Sequence, residues 1–313
     1  QRLVHDLGVT VVIAEHRLER VIEYADQIIA LERREPQTSA HILQGKPAGI
    51  MRDSTLAPPV VRLGRLVNWN PLPLSIRDAR RSAAGLRSLL SGRSPHIRSV
   101  PDEPEVAARI QAGVVAYGPA IALSNVDFEL YSGTITALMG RNGAGKSTLL
   151  NSIVGLVQLS GGVVHVDGVD PSTTSASKLM RHVGLVPQEP ADLLDAVTVA
   201  DECRAADSDS GSEPGTCRAV LALLAPEITD ETHPRDLSEG QRLLLALSIV
   251  LAARPQVVLL DEPTRGLDYP TKARLCAILR DLADNGHAVA LATHDVELVA
   301  ETADRVAMLA DGE

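Results

Sequence analysis

Residues 140–148 (GRNGAGKST) constrain this chain more than any other segment. They fit the pattern G-x-x-x-x-G-K-[ST], in which glycines let backbone N–H groups close around phosphate oxygens. The apolar run 134–139 (TITALM) before them predicts a β-strand, and the residues from Leu149 onward predict a helix. A helix N-terminus favours negative charge. The sequence therefore predicts a phosphate site between a strand and a helix.

Two side chains of this segment suit nucleotide chemistry. Lys146 brings a full positive charge to the β- and γ-phosphates, and the Ser147 hydroxyl is placed to bind Mg²⁺. A second segment, 257–262 (VVLLDE), predicts a buried parallel strand that ends in two carboxylates. We assign Asp261 to the metal through its water shell, and Glu262 to orienting and deprotonating the attacking water. An ordinary acidic turn is the alternative explanation of this pair.

An internal repeat divides the chain. Residues 8–31 (GVTVVIAEHRLERVIEYADQIIAL) align without a gap with residues 286–309 (GHAVALATHDVELVAETADRVAML). Each copy has a strand-like apolar run, a histidine, a helical pattern, the pair Ala-Asp and a second apolar run. We interpret residues 1–54 as the C-terminal remnant of a first domain, and the start at Gln1 as an internal cut.

A segment of different composition follows the first copy. Residues 55–110 are rich in Pro, Arg and Ser and show no sustained hydrophobic period, which predicts an interdomain linker. A solvated spacer is favoured over a lipid or subunit contact for its arginines, Arg77, Arg80, Arg81 and Arg87. Strand-like and helix-like runs alternate over 111–313, as in an α/β domain with a largely parallel sheet. A short insert, 206–215 (ADSDSGSEPG), has loop composition.

Charge and cysteine content exclude other classes of function. The formal net charge is −10 at pH 7, whereas a general nucleic-acid binder has a basic domain or stripe, so no nucleic acid is expected as a partner. Cys203, Cys217 and Cys276 fit neither a zinc site nor a disulfide framework and indicate reduced thiols in the cytosol. The longest apolar run, 243–253, is shorter than the roughly 20 residues of a membrane helix. Other subunits would have to provide any attachment to a membrane.

The pentapeptide 237–241 (LSEGQ) lies between the glycine-rich loop and the acidic strand. It resembles the signature LSGGQ of the ATPase subunits of ABC transporters, with Glu239 in place of a glycine. The resemblance covers residues 111–313. It implies an α/β fold of the P-loop NTPase class, with a RecA-like core of mostly parallel sheet, an antiparallel β subdomain and an α-helical signature subdomain at about 191–255. It also implies ATP hydrolysis coupled to transmembrane transport, with ATP and Mg²⁺ as cofactors.

Four further positions match motifs of this family. Tyr117 resembles the aromatic residue that stacks on adenine, which requires only a π face. Gln188, in LVPQEP, resembles the glutamine that reaches the metal and the attacking water. Asp268, in RGLD, resembles the aspartate that joins the two halves of a dimer. His294, in ATHD, resembles the histidine that contacts the γ-phosphate, although a lone histidine after a strand is usually structural.

The complete predicted site combines the residues of the sequence patterns with those that the family resemblance implies. The catalytic residues are Glu262, His294, Gln188 and Lys146. The nucleotide-binding residues are Tyr117, Gly140, Asn142, Gly143, Gly145, Lys146, Ser147, Thr148, Ser238, Gly240, Gln241 and Asp268. The metal-binding residues are Ser147, Gln188 and Asp261.

In this family two domains face each other head to tail, so each ATP lies between the glycine-rich loop of one domain and the signature of the other. Ser238 and Gly240 are therefore expected to contact a partner domain's nucleotide, because a helix N-terminus stabilises the charge of a γ-phosphate. Glu239 adds an acid beside that contact. His16 aligns with His294, so the resemblance implies a second ABC domain, in the intact chain or in a second copy.

Short stretches of the first hundred residues (EHRLE, PPVVRLGR and PLPLSIRDARR) most resemble the duplicated ATPase of energy-coupling factor (ECF) importers of vitamins or metal ions. This resemblance implies integral membrane partners and a place at the cytoplasmic face of the plasma membrane. Two alternatives stay open. A soluble ABC-F type translation factor also pairs two ABC domains, although the residues after His16 and His294 lack the HDRxFL pattern of that group. An ATP-binding module that does not hydrolyse is the other, because of Glu239.

Overall fold

The computed structural model describes residues 9–15, 17–32, 41–94 and 105–313. The chain divides into two units, residues 1–97 with 267–271, and residues 98–266 with 272–313. Each unit is described by itself below. His16, which the repeat aligns with His294, lies outside the described residues.

The first unit contains a strand hairpin and helices. Strands β1 (Ile28–Glu32) and β2 (His41–Gly45) pair antiparallel. Helices α1 (Pro47–Asp53), α2 (Pro59–Leu66) and α3 (Ile76–Leu90) follow. A small apolar cluster, which includes Ile22, Met51, Ala57 and Val61, is buried among them. The unit therefore has a core of its own.

Helices α2 and α3 lie in the segment whose composition predicts a linker. Pro59 occupies the first turn of α2, where proline is tolerated because the first N–H groups of a helix have no partner in the helix. Ser75 caps α3 by accepting a hydrogen bond from Asp78 N at 3.2 Å. Arg65 Nη2 donates to Ser54 O at 2.8 Å. Residues 59–66 and 76–90 of the segment are thus helical, with a proline and a serine at the starts of these two helices. The four arginines singled out above are exposed on α3.

The second unit is built on a five-stranded parallel sheet. Its strands are β5 (Ile135–Met139), β7 (Val183–Val186), β8 (Val257–Asp261), β9 (Ala288–Ala292) and β10 (Arg305–Met308), in the order β10-β5-β9-β8-β7. Every residue of β8 and β9 is buried. Unbroken apolar runs are what parallel strands covered on both faces require, so these two strands form the centre of the core.

A three-stranded antiparallel sheet belongs to the same unit. It contains β3 (Val106–Tyr117), β4 (Ala120–Tyr131) and β6 (Gly161–Val166), in the order β4-β3-β6. Strand β3 begins at Val106, ahead of the boundary at residue 111, and its residues Ala107, Ala108 and Ile110 are buried in the core. The remaining helices outside the signature region are α4 (Lys146–Ile153), α5 (Ala176–Leu179), α9 (Tyr269–Asp284) and α10 (Val296–Thr302).

Three helices form a layer around the signature pentapeptide. They are α6 (Val199–Ser210), α7 (Thr216–Leu224) and α8 (Glu239–Ala252), and their apolar faces share one buried cluster. The interpretation of 206–215 as a loop is wrong for 206–210, which form the end of α6. That helix ends at Gly211, whose φ of 64° is left-handed. The parallel sheet, the antiparallel sheet and the helical layer confirm the predicted fold class.

A buried carboxylate joins α6 to α7. Asp207 accepts hydrogen bonds from Gly215 N at 2.6 Å and Cys217 N at 2.8 Å. Replacement of Asp207 by Ala is expected to lower the free energy of unfolding by about 2 kcal/mol, because two backbone donors lose their acceptor. Asp209, exposed on the same helix, is the matched control, and Asp209→Ala should change stability by less than about 0.5 kcal/mol. Denaturant unfolding of both variants checks this, and equal stabilities would contradict it.

Within the described part of the chain, no helix has both the length and the apolar character that crossing a bilayer demands.

Candidate active site

The glycine-rich loop joins β5 to α4, as predicted. Gly143 and Gly145 have φ values of 84° and 101°, a region that side chains rarely adopt. A Cβ atom on Gly145 would lie 2.5 Å from Ala122 O and 3.0 Å from Leu123 Cδ2. Both the backbone conformation and the close approach therefore require glycine at 145.

Lys146 is the first residue of α4, and its side chain turns back over the loop. Its Nζ donates to Gly140 O at 2.9 Å and lies 3.9 Å from Glu262 Oε1. The two side chains are only 7% and 11% exposed, so solvent screens their attraction less than at a surface. The predicted juxtaposition of the glycine cradle, the lysine and the acidic strand is present.

The topology of the sheet explains this juxtaposition. Strands β5, β8 and β9 are parallel, so the loops that follow them leave from the same edge of the sheet. Lys146 follows β5, Glu262 follows β8 and His294 follows β9. Ligands of open α/β sheets bind at this carboxyl edge.

Asp261 is the last residue of β8, and the surroundings of its carboxylate suit a residue near a metal ion. Its Oδ1 is buried with no hydrogen-bond partner, and the Ser147 hydroxyl lies close enough to lower its pKa. A buried acceptor without a partner is costly, which indicates that a further group belongs there. Ser147 and Asp261 together offer the oxygen ligands that Mg²⁺ prefers, so these residues fit the predicted cation.

Burial raises the pKa of Asp261, and the nearby Glu262 adds to that effect, whereas the Ser147 hydroxyl and Lys146 oppose it. The protonated form therefore persists to a higher pH than for an ordinary aspartate, and protons compete with the metal. We expect the Mg²⁺ concentration needed for half-maximal ATPase activity to rise as pH falls. Asp261→Asn should raise that concentration by about tenfold or more at neutral pH and remove this component of its pH dependence. Mg²⁺ titrations of the unaltered protein and of Asp261→Asn from pH 5 to 8 check this. The same dependence of the half-maximal Mg²⁺ concentration on pH in both proteins would contradict it.

Glu262 and His294 contact each other directly. His294 Nδ1 lies 2.7 Å from Glu262 Oε2, while the other carboxylate oxygen of Glu262 faces Lys146. Glu262 has a left-handed φ of 48° and its N–H donates to Ala292 O at 2.8 Å. The imidazole is 61% exposed. It is therefore not a satisfied core histidine, because its one hydrogen bond is to the predicted base.

Three further predicted site residues are not hydrogen-bonded to this group. Among the described residues, no hydrogen bond joins the side chains of Tyr117, Gln188 or Asp268 to Lys146, Glu262 or His294. Gln188 is exposed just after β7, and Tyr117 is 54% exposed at the end of β3. Asp268 accepts from Thr271 N at 2.9 Å. Their assignment to ATP stays a prediction.

The signature pentapeptide starts α8 with a capping box. Ser238 Oγ accepts from Gln241 N at 3.3 Å, and Gln241 Oε1 accepts from Ser238 N at 3.0 Å. Glu239 pairs with Arg242 at 2.9 Å, one turn along the same helix. Gly240 is buried. The acid that departs from the family signature therefore carries its own counter-charge.

Sequence reasoning missed two residues beside His294. Asp295 caps α10, and Lys272 of α9 binds it at 2.8 Å. An Asp directly before a predicted helix is a signal for a cap. No local signal connects it to a lysine 23 positions earlier in the chain.

Comparison with known proteins shows what the domain resembles. A family model described as ABC transporter matches residues 123–265, a range that contains the glycine-rich loop, the signature and the acidic strand. Residues 123–265 are therefore similar to the ABC transporter family. Relatives of the chain are named as ABC transporter ATP-binding proteins, and a solved ATP-binding subunit of an ABC transporter shares the fold of this domain.

Among the relatives that align with the whole chain is one from a Streptomyces species. It is SCO2324 of Streptomyces coelicolor, named as an ABC transporter ATP-binding protein, with 55% identity over 342 residues. The alignment includes 100% of this chain and 60% of the relative. The chain thus spans about 60% of the length of that protein.

Two solved structures resemble the ABC domain. One is cbiO1 from Clostridium perfringens, described as part of the ABC transporter complex cbiONQ, with 27% identity and a TM-score of 0.59 over 66% of this chain and 86% of that one. The other is MJ0796, a bacterial ABC transporter cassette in a dimeric structure, with 25% identity and a TM-score of 0.60 over 66% and 95% of the two chains. Both support the fold of the second unit.

Proposed function

We propose that this chain binds Mg²⁺-ATP at the carboxyl edge of its parallel sheet and hydrolyses it with Glu262 as general base. The observation that carries the proposal is the position of Glu262, with Lys146 Nζ 3.9 Å from one oxygen and His294 Nδ1 2.7 Å from the other. A carboxylate between two cationic or hydrogen-bonding groups can accept a proton from water while both neighbours orient it. When bound, the metal would supply charge neutralisation at the β- and γ-phosphates, held through Ser147 and Asp261.

The glycine-rich loop and the first residues of α4 provide the binding energy for the phosphates. Backbone N–H groups of 140–148 surround the phosphate oxygens, and Lys146 exchanges its contacts with Gly140 O and Arg141 O for phosphate oxygens. The side chains that we assign to the nucleotide outside this loop are those of Tyr117, Ser238, Gln241 and Asp268. Gln188 completes the metal shell in this proposal.

The proposed domain organisation follows from the repeat. Residues 1–54 belong to a first ABC domain, 55–110 connect it to the second, and 111–313 form the second. The capping box at Ser238 fixes the start of α8, and we expect this helix N-terminus to approach the γ-phosphate of a facing domain. The facing domain is either the first domain of the intact protein or a second copy.

We propose that ATP-driven closure of two such domains moves integral membrane partners, in an importer of the ECF type for a vitamin or a metal ion. Closure requires tighter ATP binding to the closed state, and hydrolysis removes the γ-phosphate contacts that hold it. Support comes from the similarity to cbiO1, which is described as part of a transporter complex, and from the name of SCO2324. The protein would then reside at the cytoplasmic face of the membrane through those partners.

The two alternatives are less favoured. SCO2324 is named as an ABC transporter ATP-binding protein rather than a translation factor, which counts against the ABC-F assignment. The non-hydrolysing module is disfavoured because Glu262 lies 3.9 Å from Lys146 Nζ and 2.7 Å from His294 Nδ1, and because Glu239 is paired with Arg242.

Cell fractionation tests the transport function. The natural full-length protein is separated from a lysate by flotation of membranes and by sedimentation of ribosomes in parallel gradients. We expect it in the membrane fraction, and we expect detergent to release it together with integral membrane proteins. Co-sedimentation with ribosomes and absence from floated membranes would contradict the proposal.

A further inference from the structure

The exposed imidazole of His294 needs another group to hold it against Glu262. An exposed side chain is free to change rotamer, and a single surface hydrogen bond is weak. The residue that follows it, Asp295, is half-buried and contacts Lys272, Thr293 and the first turn of α10. The position of His294 therefore depends on how Asp295 is fixed.

Asp295 connects the loops that follow β8 and β9. Its Oδ1 accepts from Leu298 N at 3.0 Å and so caps α10, while its own N–H donates to Thr293 Oγ1 at 3.0 Å. Thr264, two residues beyond Glu262, lies close enough to this carboxylate to help lower its pKa. The carboxylate of Asp295 thus fixes the loop that carries His294 and lies near the loop of the predicted base.

Lys272 supplies the charge that keeps this carboxylate ionised. Its Nζ lies 2.8 Å from Asp295, and the two side chains are 16% and 19% exposed. Burial by itself would raise the pKa of Asp295, but the bonds from Lys272 and Leu298 N outweigh burial and hold that pKa below its ordinary value. Without the lysine, a negative charge would remain next to His294 with no cation beside it.

We propose that Lys272 is a positioning residue for ATP hydrolysis, which acts through Asp295 to hold His294 against Glu262. This inference rests on the proposed function. It assigns to α9 a part in catalysis that none of the motifs includes. Lys272 does not touch the nucleotide in this account, so its loss should affect turnover rather than the binding of ATP.

Helix α9 offers a matched control. Arg280 lies about two turns after Lys272 and binds Asp304 through two contacts, at 3.1 and 2.9 Å. Asp304 is more buried than Asp295, at 7% exposure, and its Oδ2 also accepts from Ile135 N. This pair fastens the same helix to the opposite edge of the sheet. Arg280→Met thus removes another partly buried ion pair of α9, and among the described residues no hydrogen bond or ion pair joins Arg280 to the His294 loop.

The experiment compares Lys272→Met, Lys272→Arg and Arg280→Met in steady-state ATPase assays and thermal unfolding. We expect Lys272→Met to lower kcat about tenfold while KM for ATP changes less than about twofold. Lys272→Arg should restore most of the activity, because it keeps the charge. Arg280→Met should lower the Tm and leave kcat per folded molecule unchanged. An unchanged kcat in Lys272→Met, or an equal loss in Arg280→Met, would overturn the inference.

A second readout does not depend on hydrolysis. The ring NMR signal of His294, assigned by its loss in His294→Ala, should shift in Lys272→Met and stay in place in Arg280→Met. If the unaltered protein hydrolyses no ATP, the proposed function fails, whereas a shifted signal would still support the positioning role. An unshifted signal in Lys272→Met overturns the positioning role whatever the activity. Lys272→Gln, which keeps a donor without the charge, replaces Lys272→Met if that variant does not fold.

Discussion

Glu262→Gln is expected to lower ATP turnover by about two orders of magnitude or more, while ATP binding persists. The amide is almost the same size as the carboxylate and can keep a contact with His294, but it cannot accept a proton from water. Because the Lys146 ammonium and the glycine loop bind the phosphates, the affinity for ATP should change little. Steady-state turnover and the binding of a fluorescent ATP analogue measure the two effects separately.

The control for this variant is Glu227→Gln. Glu227 is an exposed acid that pairs with Arg274 at 3.3 Å, and surface pairs of this kind contribute little to stability. Its replacement should leave turnover and binding unchanged. Unaltered turnover in Glu262→Gln would show that another group acts as the base.

Gly145→Ala is expected to destabilise the ABC domain by about 3 kcal/mol in the absence of nucleotide. About 1 kcal/mol comes from the left-handed backbone that a side chain disfavours, and the rest from overlap of the new Cβ with Ala122 O. The helix that begins at Lys146 would have to move to relieve this overlap. Nucleotide affinity should fall with it, since the same residues form the phosphate cradle.

Gly143→Ala separates the cost of the left-handed backbone from the cost of the Cβ overlap. Gly143 also has a positive φ, but nothing lies within 4 Å of a Cβ built there, so only the backbone cost of about 1 kcal/mol applies. Denaturant unfolding without nucleotide compares the two variants. Equal destabilisation would show that the close approach to β4 does not restrict residue 145.

The sequence predicted the parts of the site that short segments specify. The glycine-rich loop, the acidic end of β8 and the histidine after β9 each stand in a local pattern. Because parallel strands leave from one edge of a sheet, their meeting could be predicted without coordinates. The structure confirms the strand-loop-helix context of Lys146 and its proximity to Glu262.

Features that depend on tertiary packing could not be predicted in this way. The pair Lys272–Asp295 joins residues whose separation in sequence follows no helical or strand period. Helix α2 is too short for a clear hydrophobic period, and its Val61 is buried in the cluster around Met51. Acidic and serine-rich residues at the end of α6 look like a loop, but Asp207 is buried because it binds the backbone of α7.

The signature illustrates the same limit. The sequence shows that Glu239 replaces a glycine, but only the structure shows its pairing with Arg242, through a geometry typical of residues one turn apart.

The central claim is that a triphosphate lies between the Lys146 loop and the carboxylates of Asp261 and Glu262. A structure of Glu262→Gln with Mg²⁺-ATP tests it most directly. We expect the γ-phosphate beside Lys146 Nζ and residue 262, with the metal at Ser147. Density for ATP at any other place, or a loop still closed by the contact of Lys146 with Gly140 O, would contradict the account.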